Sequence, residues 1–197
     1  MTISPEDVLS FWFEESGPDK WFEKSDVFDD EIRERFGEIT EAARHGRLRD
    51  WLDSTRGRLA QIILIDQFSR NLHRNSPLTW SADSRGLALA KQMITDGQDL
   101  ALNHAERKFV YMPFMHSEVL ADQEQSIALY SSLAEEGAEG GDDTLKYAVL
   151  HRDIVARFGR FPHRNEILGR DKMPSSRSRI LRFRAGRPEQ TRRRPQR

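Results

Sequence analysis

The sequence is organised around the stretch Gly57-Arg-Leu-Ala-Gln-Ile-Ile-Leu-Ile-Asp-Gln-Phe-Ser-Arg70. Its large apolar side chains cover most of a helix circumference: Leu59, Ile62, Ile63, Leu64, Ile65 and Phe68. This pattern predicts a buried central helix with neighbours on several sides. The stretch ends in polar residues that a core helix carries only where they are paired or face a pocket: Asp66, Gln67, Arg70 and Asn71.

Helix signals surround this stretch on both sides. Ser4-Pro5-Glu6-Asp7 combines an N-cap serine with a proline at the first helical position. Apolar residues spaced by three and four predict a second helix over 26–44. Asn103 and Glu106 have the capping-box form, and we expect the helix that they begin to kink or restart at Pro113.

The rest of the chain predicts three more helices and no strands. Ser81 or Asp83 can cap the first helix, Asp122 caps the second, and the third covers Thr144–Phe158. Alternation of period two does not persist anywhere, and the short connections favour antiparallel helical hairpins. The sequence therefore predicts an all-α fold.

Charge divides the chain into two unlike pieces. The net charge of −1 combines a segment 171–197, which holds ten Lys or Arg residues against two acids, with an acidic remainder. We expect 1–170 to form a single helical domain and 171–197 to be a disordered basic tail. The Arg-, Pro- and Ser-rich composition of that tail is also what a frameshift in a GC-rich gene produces.

Composition also limits where the protein is expected to occur and which partners it is expected to bind. There is no cysteine, no signal-peptide pattern and no run of the roughly 18 apolar residues that a membrane span needs. We therefore expect a cytoplasmic protein without membrane contact. Only the basic tail offers a surface for nucleic acid.

Three polar blocks supply the candidate functional residues. They are Asp66, Gln67, Arg70 and Asn71 in the first block, His116, Glu118 and Gln123 in the second, and His151, Arg157, Arg160, His163, Arg164 and Asn165 in the third. His151 also lies on an apolar stripe, where a histidine is often a core residue. The arginines can bind a phosphate or carboxylate, or pair with acids inside the protein.

These blocks predict that acids and arginines lie close together, and they do not predict a metal site. We expect Asp66 or Glu118 within salt-bridge reach of Arg157, Arg160 or Arg164, because burying such charges unpaired costs several kcal/mol. His116 and Glu118 project about 200° apart on a helix, so they cannot chelate one metal ion from it. The sequence predicts neither a metal nor a cofactor.

The same blocks carry a resemblance to a known family. Asp66-Gln-Phe-Ser-Arg-Asn71, Tyr111-Met-Pro-Phe-Met-His-Ser-Glu118 and Arg157-Phe-Gly-Arg-Phe-Pro-His-Arg-Asn165, followed by Leu168-Gly-Arg170, resemble its signature blocks. It is a bacterial family catalogued as domain of unknown function number nine hundred and twenty-four. The resemblance runs from Val8 to Arg170. It implies a helical fold similar to tetratricopeptide-like right-handed superhelices, and it implies no known activity.

Two functions of different class follow from this pattern, and the fold-level analogy favours the first. The first is a helical scaffold that binds a protein or peptide partner in a groove between its hairpins, with mainly structural polar blocks. The second is an enzyme or small-anion-binding protein whose polar blocks converge on one pocket. An open cavity shared by the blocks favours the second, and dispersed ion pairs favour the first.

Overall fold

The computed structural model describes residues 2–171, and within them the fold is all-α with no strand. The α-helices are α1 Pro5–Ser10, α2 Gly17–Trp21, α3 Asp26–Arg44, α4 Thr55–Ile62, α5 Ser69–Leu72, α6 Asp83–Thr95, α7 His104–His116, α8 Leu120–Glu135 and α9 Gly141–Phe158. Phe11–Ser16 and Ile63–Phe68 are π-helical. Short 3-10 helices cover Arg49–Asp53, Pro77–Thr79, Asp99–Ala101 and Pro162–Arg164.

The central helix is confirmed as the buried core element. The segment Thr55–Leu72 is helical throughout, and all residues from Leu59 to Ser69 are buried. Ser54 begins it by accepting a hydrogen bond from the amide of Gly57 at 3.0 Å. A Cβ on Gly57 would lie 2.1 Å from the carbonyl oxygen of Trp51, so only glycine fits this approach.

Aromatic rings from several helices pack around the end of the central helix. The ring of Phe68 lies 5.8 Å from Phe11, 5.5 Å from Trp12 and 5.3 Å from Phe36, measured between centroids. Phe109 of α7 adds an edge-on contact with Trp12 at 5.5 Å. Such pairs stabilise the core beyond the burial of their area alone, and they hold the central helix beside the π-helical segment Phe11–Ser16 and α3, with α7 packed on the same ring cluster.

Local signals predicted the helix starts well in the first half of the chain. The predicted helix over 26–44 is confirmed at Asp26–Arg44. The capping role of Ser4 and the capping box of Asn103 with Glu106 are both present. These caps depend on residues three apart in sequence, so no tertiary contact is needed to find them.

Two predicted helix starts were wrong, and of the two alternatives at Pro113 the restart does not occur. Helix α7 passes through Pro113 to His116, and contacts from other elements hold its last turn. Helix α8 begins at Leu120 rather than at an Asp122 cap, and Asp122 instead accepts a hydrogen bond from the hydroxyl of Ser117 at 2.7 Å. Helix α9 begins at Gly141, three residues before the predicted Thr144.

Other expectations keep their status as predictions. The superhelical, tetratricopeptide-like arrangement of the hairpins is one of them. The predicted disordered tail 171–197 lies, apart from Asp171, outside the described residues. Within residues 2–171 no helix combines the length and apolarity that a membrane crossing requires.

Candidate functional site

A groove of about 510 Å³ opens where the start of α6, the end of α7 and the segment after α9 meet. Asp83 of α6 and His116 of α7 both line the groove, and they lie close together because Nη2 of Arg70 is 3.3 Å from Asp83 and 3.0 Å from Nδ1 of His116. Leu87 and Pro113, about one turn further along the same two helices, also line it. The full lining is Pro77, Trp80, Ser81, Asp83, Ser84, Leu87, Pro113, His116, Ser117, Glu118, Val119, Asp122, Arg164, Leu168 and Arg170.

A buried carboxylate lies behind His116. Asp66 belongs to the π-helical segment Ile63–Phe68 of the central helix and is 1% exposed. Its Oδ1 and Oδ2 atoms lie 2.8 and 3.0 Å from Nδ1 of His116. Arg70 donates to Oδ1 at 2.8 Å, and Gln67 donates to Oδ2 at 2.5 Å. The first two polar blocks of the sequence therefore meet at this carboxylate.

These neighbours keep Asp66 ionised. Burial alone raises the pKa of the Asp66 carboxyl, but the adjacent His116 and Arg70 hold that pKa well below its usual range. A π-helical turn inserts an additional residue into a helix and is common at functional sites. This turn places a permanent negative charge directly against an imidazole that lines the groove.

His116 is neutral in this setting and keeps one ring nitrogen available. Burial lowers the pKa of His116 to about 4, although Asp66 opposes that shift. Nδ1 faces both carboxylate oxygens of Asp66, and it also lies 3.0 Å from Nη2 of Arg70, a donor that fits the opposite tautomer. The two contacts with Asp66 favour the tautomer that carries its proton on Nδ1 and donates it to that carboxylate. The Nε2 atom then carries a lone pair, and no hydrogen bond joins it to another residue in the range 2–171.

Asp83 forms the acidic wall of the groove. Both of its carboxylate oxygens lie 3.3 Å from Nη2 of Arg70, and Oδ2 lies 3.7 Å from Nη1 of Arg164. Burial raises the pKa of Asp83 to about 6, and the charge of Asp66 adds to this effect, while the two arginines only partly offset it. Asp83 is therefore a carboxyl group that exchanges its proton near neutral pH.

Arg164 is a buried cation with few partners. Its side chain is only 8% exposed, and Nη2 donates to the carbonyl oxygen of His116 at 3.0 Å. The guanidinium lies 5.3 Å from the centroid of the Trp80 ring and 4.6 Å from that of Phe161. Its Nε atom is buried without a hydrogen bond. Burial, together with the charge of Arg70, lowers the pKa of Arg164 to about 10.

Two further contacts hold the end of α7 and the segment after α9 in place. Glu118 accepts hydrogen bonds from the amide of Phe161 at 2.9 Å and from Arg170 at 2.8 Å. Gln123, which is fully buried, donates to the carbonyl oxygens of Met115 at 2.7 Å and Ser117 at 2.5 Å. Gln123 therefore satisfies carbonyl groups at the end of α7 and fixes the position of His116 between them.

The three blocks do meet, but the predicted acid–arginine pairs were wrong. Glu118 pairs with Arg170, and Arg164 lies beside Asp83 rather than beside Asp66 or Glu118. Arg164 faces the start of α6, where Asp83 is the acid within reach.

The structure distributes the remaining candidates as follows. Asn71 donates to Asp29 at 2.8 Å, away from the groove. Nδ1 of His151 lies 2.8 Å from the carbonyl oxygen of Tyr147, and its ring is 6.5 Å from that of His116. Arg157 is exposed and stacks on Phe158. Arg160 donates to the carbonyl of Asp171, His163 is exposed with its ring near Phe161, and Asn165 is buried.

Sequence reasoning missed Asp83, Trp80 and Arg170 as members of the site. Asp83 was interpreted only as a possible helix cap, and it is instead the first residue of α6. Arg170 belongs to the motif Leu168-Gly-Arg170, but it was not predicted as a site residue. The usable signal was charge balance, since the four arginines of the blocks outnumber the two acids, Asp66 and Glu118.

Comparisons with known proteins identify relatives without an assigned activity. A solved structure of a protein of unknown function from Agrobacterium tumefaciens is 39% identical, with a TM-score of 0.80 over 88% of this chain and 94% of that chain. A search of the curated proteins found no match. The model of the family described as "Bacterial protein of unknown function (DUF924)" matches residues 8–179. The chain belongs to this family.

Proposed function

We propose that the protein is an enzyme that performs proton transfer on a small molecule bound in the groove, with His116 as the general base. The observation that carries this proposal is the contact of Nδ1 of His116 with the buried Asp66 carboxylate, at 2.8 and 3.0 Å, in the wall of an open groove. A carboxylate in this position fixes the tautomer and orientation of an imidazole and stabilises the imidazolium that forms when the base accepts a proton.

Each neighbouring group has a distinct role in this proposal. Arg70 donates to Asp66 at 2.8 Å and keeps that carboxyl ionised. Asp83, whose pKa burial raises to about 6, can donate a proton as the acid partner of His116. Burial raises the pKa of Asp83 and lowers that of His116. Between about pH 4 and about pH 6 Asp83 therefore holds its proton while the ring of His116 is neutral.

A turnover screen tests the proposal directly. Small esters, amides and carboxylic acids would be incubated with the wild-type protein, His116→Gln and Arg157→Gln, and substrate loss would be followed by mass spectrometry. General-base catalysis contributes about 10²–10⁴-fold, so we expect a loss of that size in His116→Gln. Arg157→Gln is the matched control, because Arg157 is exposed and lies outside the groove. An activity that His116→Gln retains in full would contradict the proposal.

Exposed apolar side chains at the groove support a second candidate, the peptide-binding scaffold. Val119 lines the groove and is 57% exposed, and its neighbour Leu120 is 45% exposed. Leu78, beside the groove residue Pro77, is 48% exposed. A peptide array would separate the two functions. Peptide binding that Val119→Asp abolishes and His116→Gln leaves intact would favour the scaffold, because an extended partner uses the rim rather than the base.

A further inference from the structure

Apolar side chains form one part of the groove lining, beside three serines and the ionisable residues. The apolar residues that line it are Pro77, Trp80, Leu87, Pro113, Val119 and Leu168. Small-molecule sites typically combine such a lining with a few polar groups that fix orientation. The fitting ligand therefore has an apolar body and a polar group at the level of Asp83, His116 and Arg164.

Arg164 has donor capacity that the protein leaves unused. Its side chain is more than nine-tenths buried and lines the groove. Nη2 bonds the carbonyl of His116, whereas the nearest acid to Nη1 is Asp83 at 3.7 Å, beyond hydrogen-bond distance. A buried guanidinium with unfilled donors is a strong site for an anion, because charge-assisted hydrogen bonds are short and strong in such surroundings.

The other charged groups of the groove are already paired. Glu118 binds Arg170 at 2.8 Å, and Asp122 binds Lys91 at 2.5 Å. The charges that face Asp83 are Arg70 from α5, Asp66 from the π-helical segment and Arg164 from the segment after α9, and the neutral His116 of α7 stands beside them. An incoming anion would therefore take the place of Asp83 as the negative partner of Arg164.

We infer that the groove binds a small carboxylic acid with an apolar body, whose carboxylate bonds Arg164 while Asp83 takes up one proton from solvent. This inference rests on the proposed function, because it names the substrate class of the same groove. The charge balance closes: one negative charge enters with the ligand and one is neutralised at Asp83, so the site keeps its net charge. A phosphate dianion would leave one charge uncompensated in a buried setting, which is costly.

Calorimetry with defined probes tests the inference. Hexanoate and benzoate carry both features, acetate lacks the apolar body, benzyl alcohol lacks the charge, and inorganic phosphate, a mixture of monoanion and dianion at pH 7, lacks the apolar body. Each would be titrated into the full chain at pH 7 in two buffers that differ in ionisation enthalpy. We expect the two apolar carboxylates to bind more tightly than the other probes, with uptake of close to one proton per ligand, since an anion at Arg164 raises the pKa of Asp83 further.

The pH dependence of binding and of proton uptake gives a second test, which the wild-type protein alone can supply. Asp83 already holds its proton well below pH 6, so the measured uptake should disappear there. Affinity should rise as the pH falls from 8 towards 6. Tighter binding of phosphate than of hexanoate, binding without proton uptake at pH 7, or no binding of either apolar carboxylate up to millimolar concentration would each overturn the inference.

Variants then separate this inference from the proposed enzyme. Asp83→Asn should abolish proton uptake, and Arg164→Gln should weaken hexanoate binding by about tenfold or more, as loss of a charged hydrogen bond does. Arg157→Gln, an exposed arginine of the same sequence block, should bind as the wild type does. His116→Gln should still bind the carboxylates, so an enzyme proposal that fails leaves this result standing. If Arg164→Gln binds hexanoate as tightly as the wild type does, the inferred carboxylate site is wrong, and the proposed enzyme is not affected by that result.

Discussion

Two polar clusters flank the end of the central helix, and they differ in how completely the protein satisfies them. Asp29 of α3 accepts hydrogen bonds from Asn71 and Arg74, both at 2.8 Å, and forms an ion pair with Arg74. No residue of this cluster lines the groove. Asp66 is bound as tightly, but its partners continue to His116 and through Arg70 to Asp83, which do line the groove.

The difference separates a structural cluster from a candidate site. Asn71 was one of the predicted site residues, yet its amide serves the closed cluster around Asp29. The cluster at the groove, which joins Asp66, Arg70, His116, Asp83 and Arg164, is the open cluster. In it the Nε atoms of Arg70 and Arg164 are buried without a hydrogen bond. Unsatisfied buried groups are uncommon in native proteins and are often associated with function. The open cluster therefore carries a cost in stability that the closed cluster does not.

Removal of each central acid should give the largest effect. We expect Asp66→Ala to lower the free energy of unfolding by about 3–5 kcal/mol, because Arg70 loses its closest buried counter-charge, keeping only Asp83 at 3.3 Å, and His116 loses the acceptor of its Nδ1 proton. Asp29→Ala should cost about 1–2 kcal/mol, because the side chain of Arg74 is 31% exposed and water can replace its partner. Urea unfolding at pH 7 measures both values. Equal losses in the two variants would show that the two clusters do not differ in this way.

The second prediction concerns the pH dependence that Asp83 gives to the open cluster. Its pKa is raised to about 6 in the folded protein, so the folded state binds this proton more tightly than the unfolded state does. The contribution of Asp83 to stability is therefore unfavourable above pH 6 and disappears as the pH falls below about 4. Asp83→Asn should be more stable than the wild type by about 2–3 kcal/mol at pH 8 and equally stable at pH 4.

Urea unfolding of both proteins at the two pH values checks this expectation. Asp29→Asn, from the closed cluster, is the matched control and should be destabilising at pH 8. An Asp83→Asn variant that is less stable than the wild type at pH 8 would mean that Asp83 is a structural ion-pair partner like Asp29.

The smallest expected effect marks the outer limit of the open cluster. Arg157 belongs to the third sequence block but is exposed and packs on Phe158. Arg157→Gln should change the free energy of unfolding by no more than about 0.5 kcal/mol, as surface substitutions usually do. Thermal unfolding is sensitive enough to show this. A loss of several degrees in melting temperature would extend the cluster to Arg157.

The sequence predicted those features of the fold that local chemistry determines. The caps at Ser4 and Asn103 and the helix Asp26–Arg44 follow from hydrogen bonds and apolar spacing within a few residues. The π-helical turn at Ile63–Phe68 was not predicted, because one added residue in a turn leaves no signal in a fully apolar stretch. At Pro113 the sequence left a kink and a restart open, and the restart does not occur because remote groups, Gln123 and Arg164, hold the end of α7.

The candidate site was predictable in its blocks but not in its pairs. Asp66, Arg70, His116 and Arg164 were all named from the sequence, and they lie together. Which acid lies beside which arginine depends on the relative placement of α6 and the segment after α9, which no local pattern encodes. Asp83 was missed for this reason, and it is the residue on which the proton balance of the groove depends.

The protonation state of His116 decides whether this residue can act as the general base. Nitrogen-15 NMR of the imidazole, assigned with His116→Gln, distinguishes the two neutral tautomers from the imidazolium ion. We predict that the His116 ring is neutral at pH 7, with its proton on Nδ1 directed at Asp66 and a lone pair on Nε2 in the groove. Because Nη2 of Arg70 lies 3.0 Å from Nδ1, the opposite tautomer would place the lone pair there instead. A ring protonated on Nε2, or an imidazolium that persists at pH 7, would contradict the assignment of His116 as the general base.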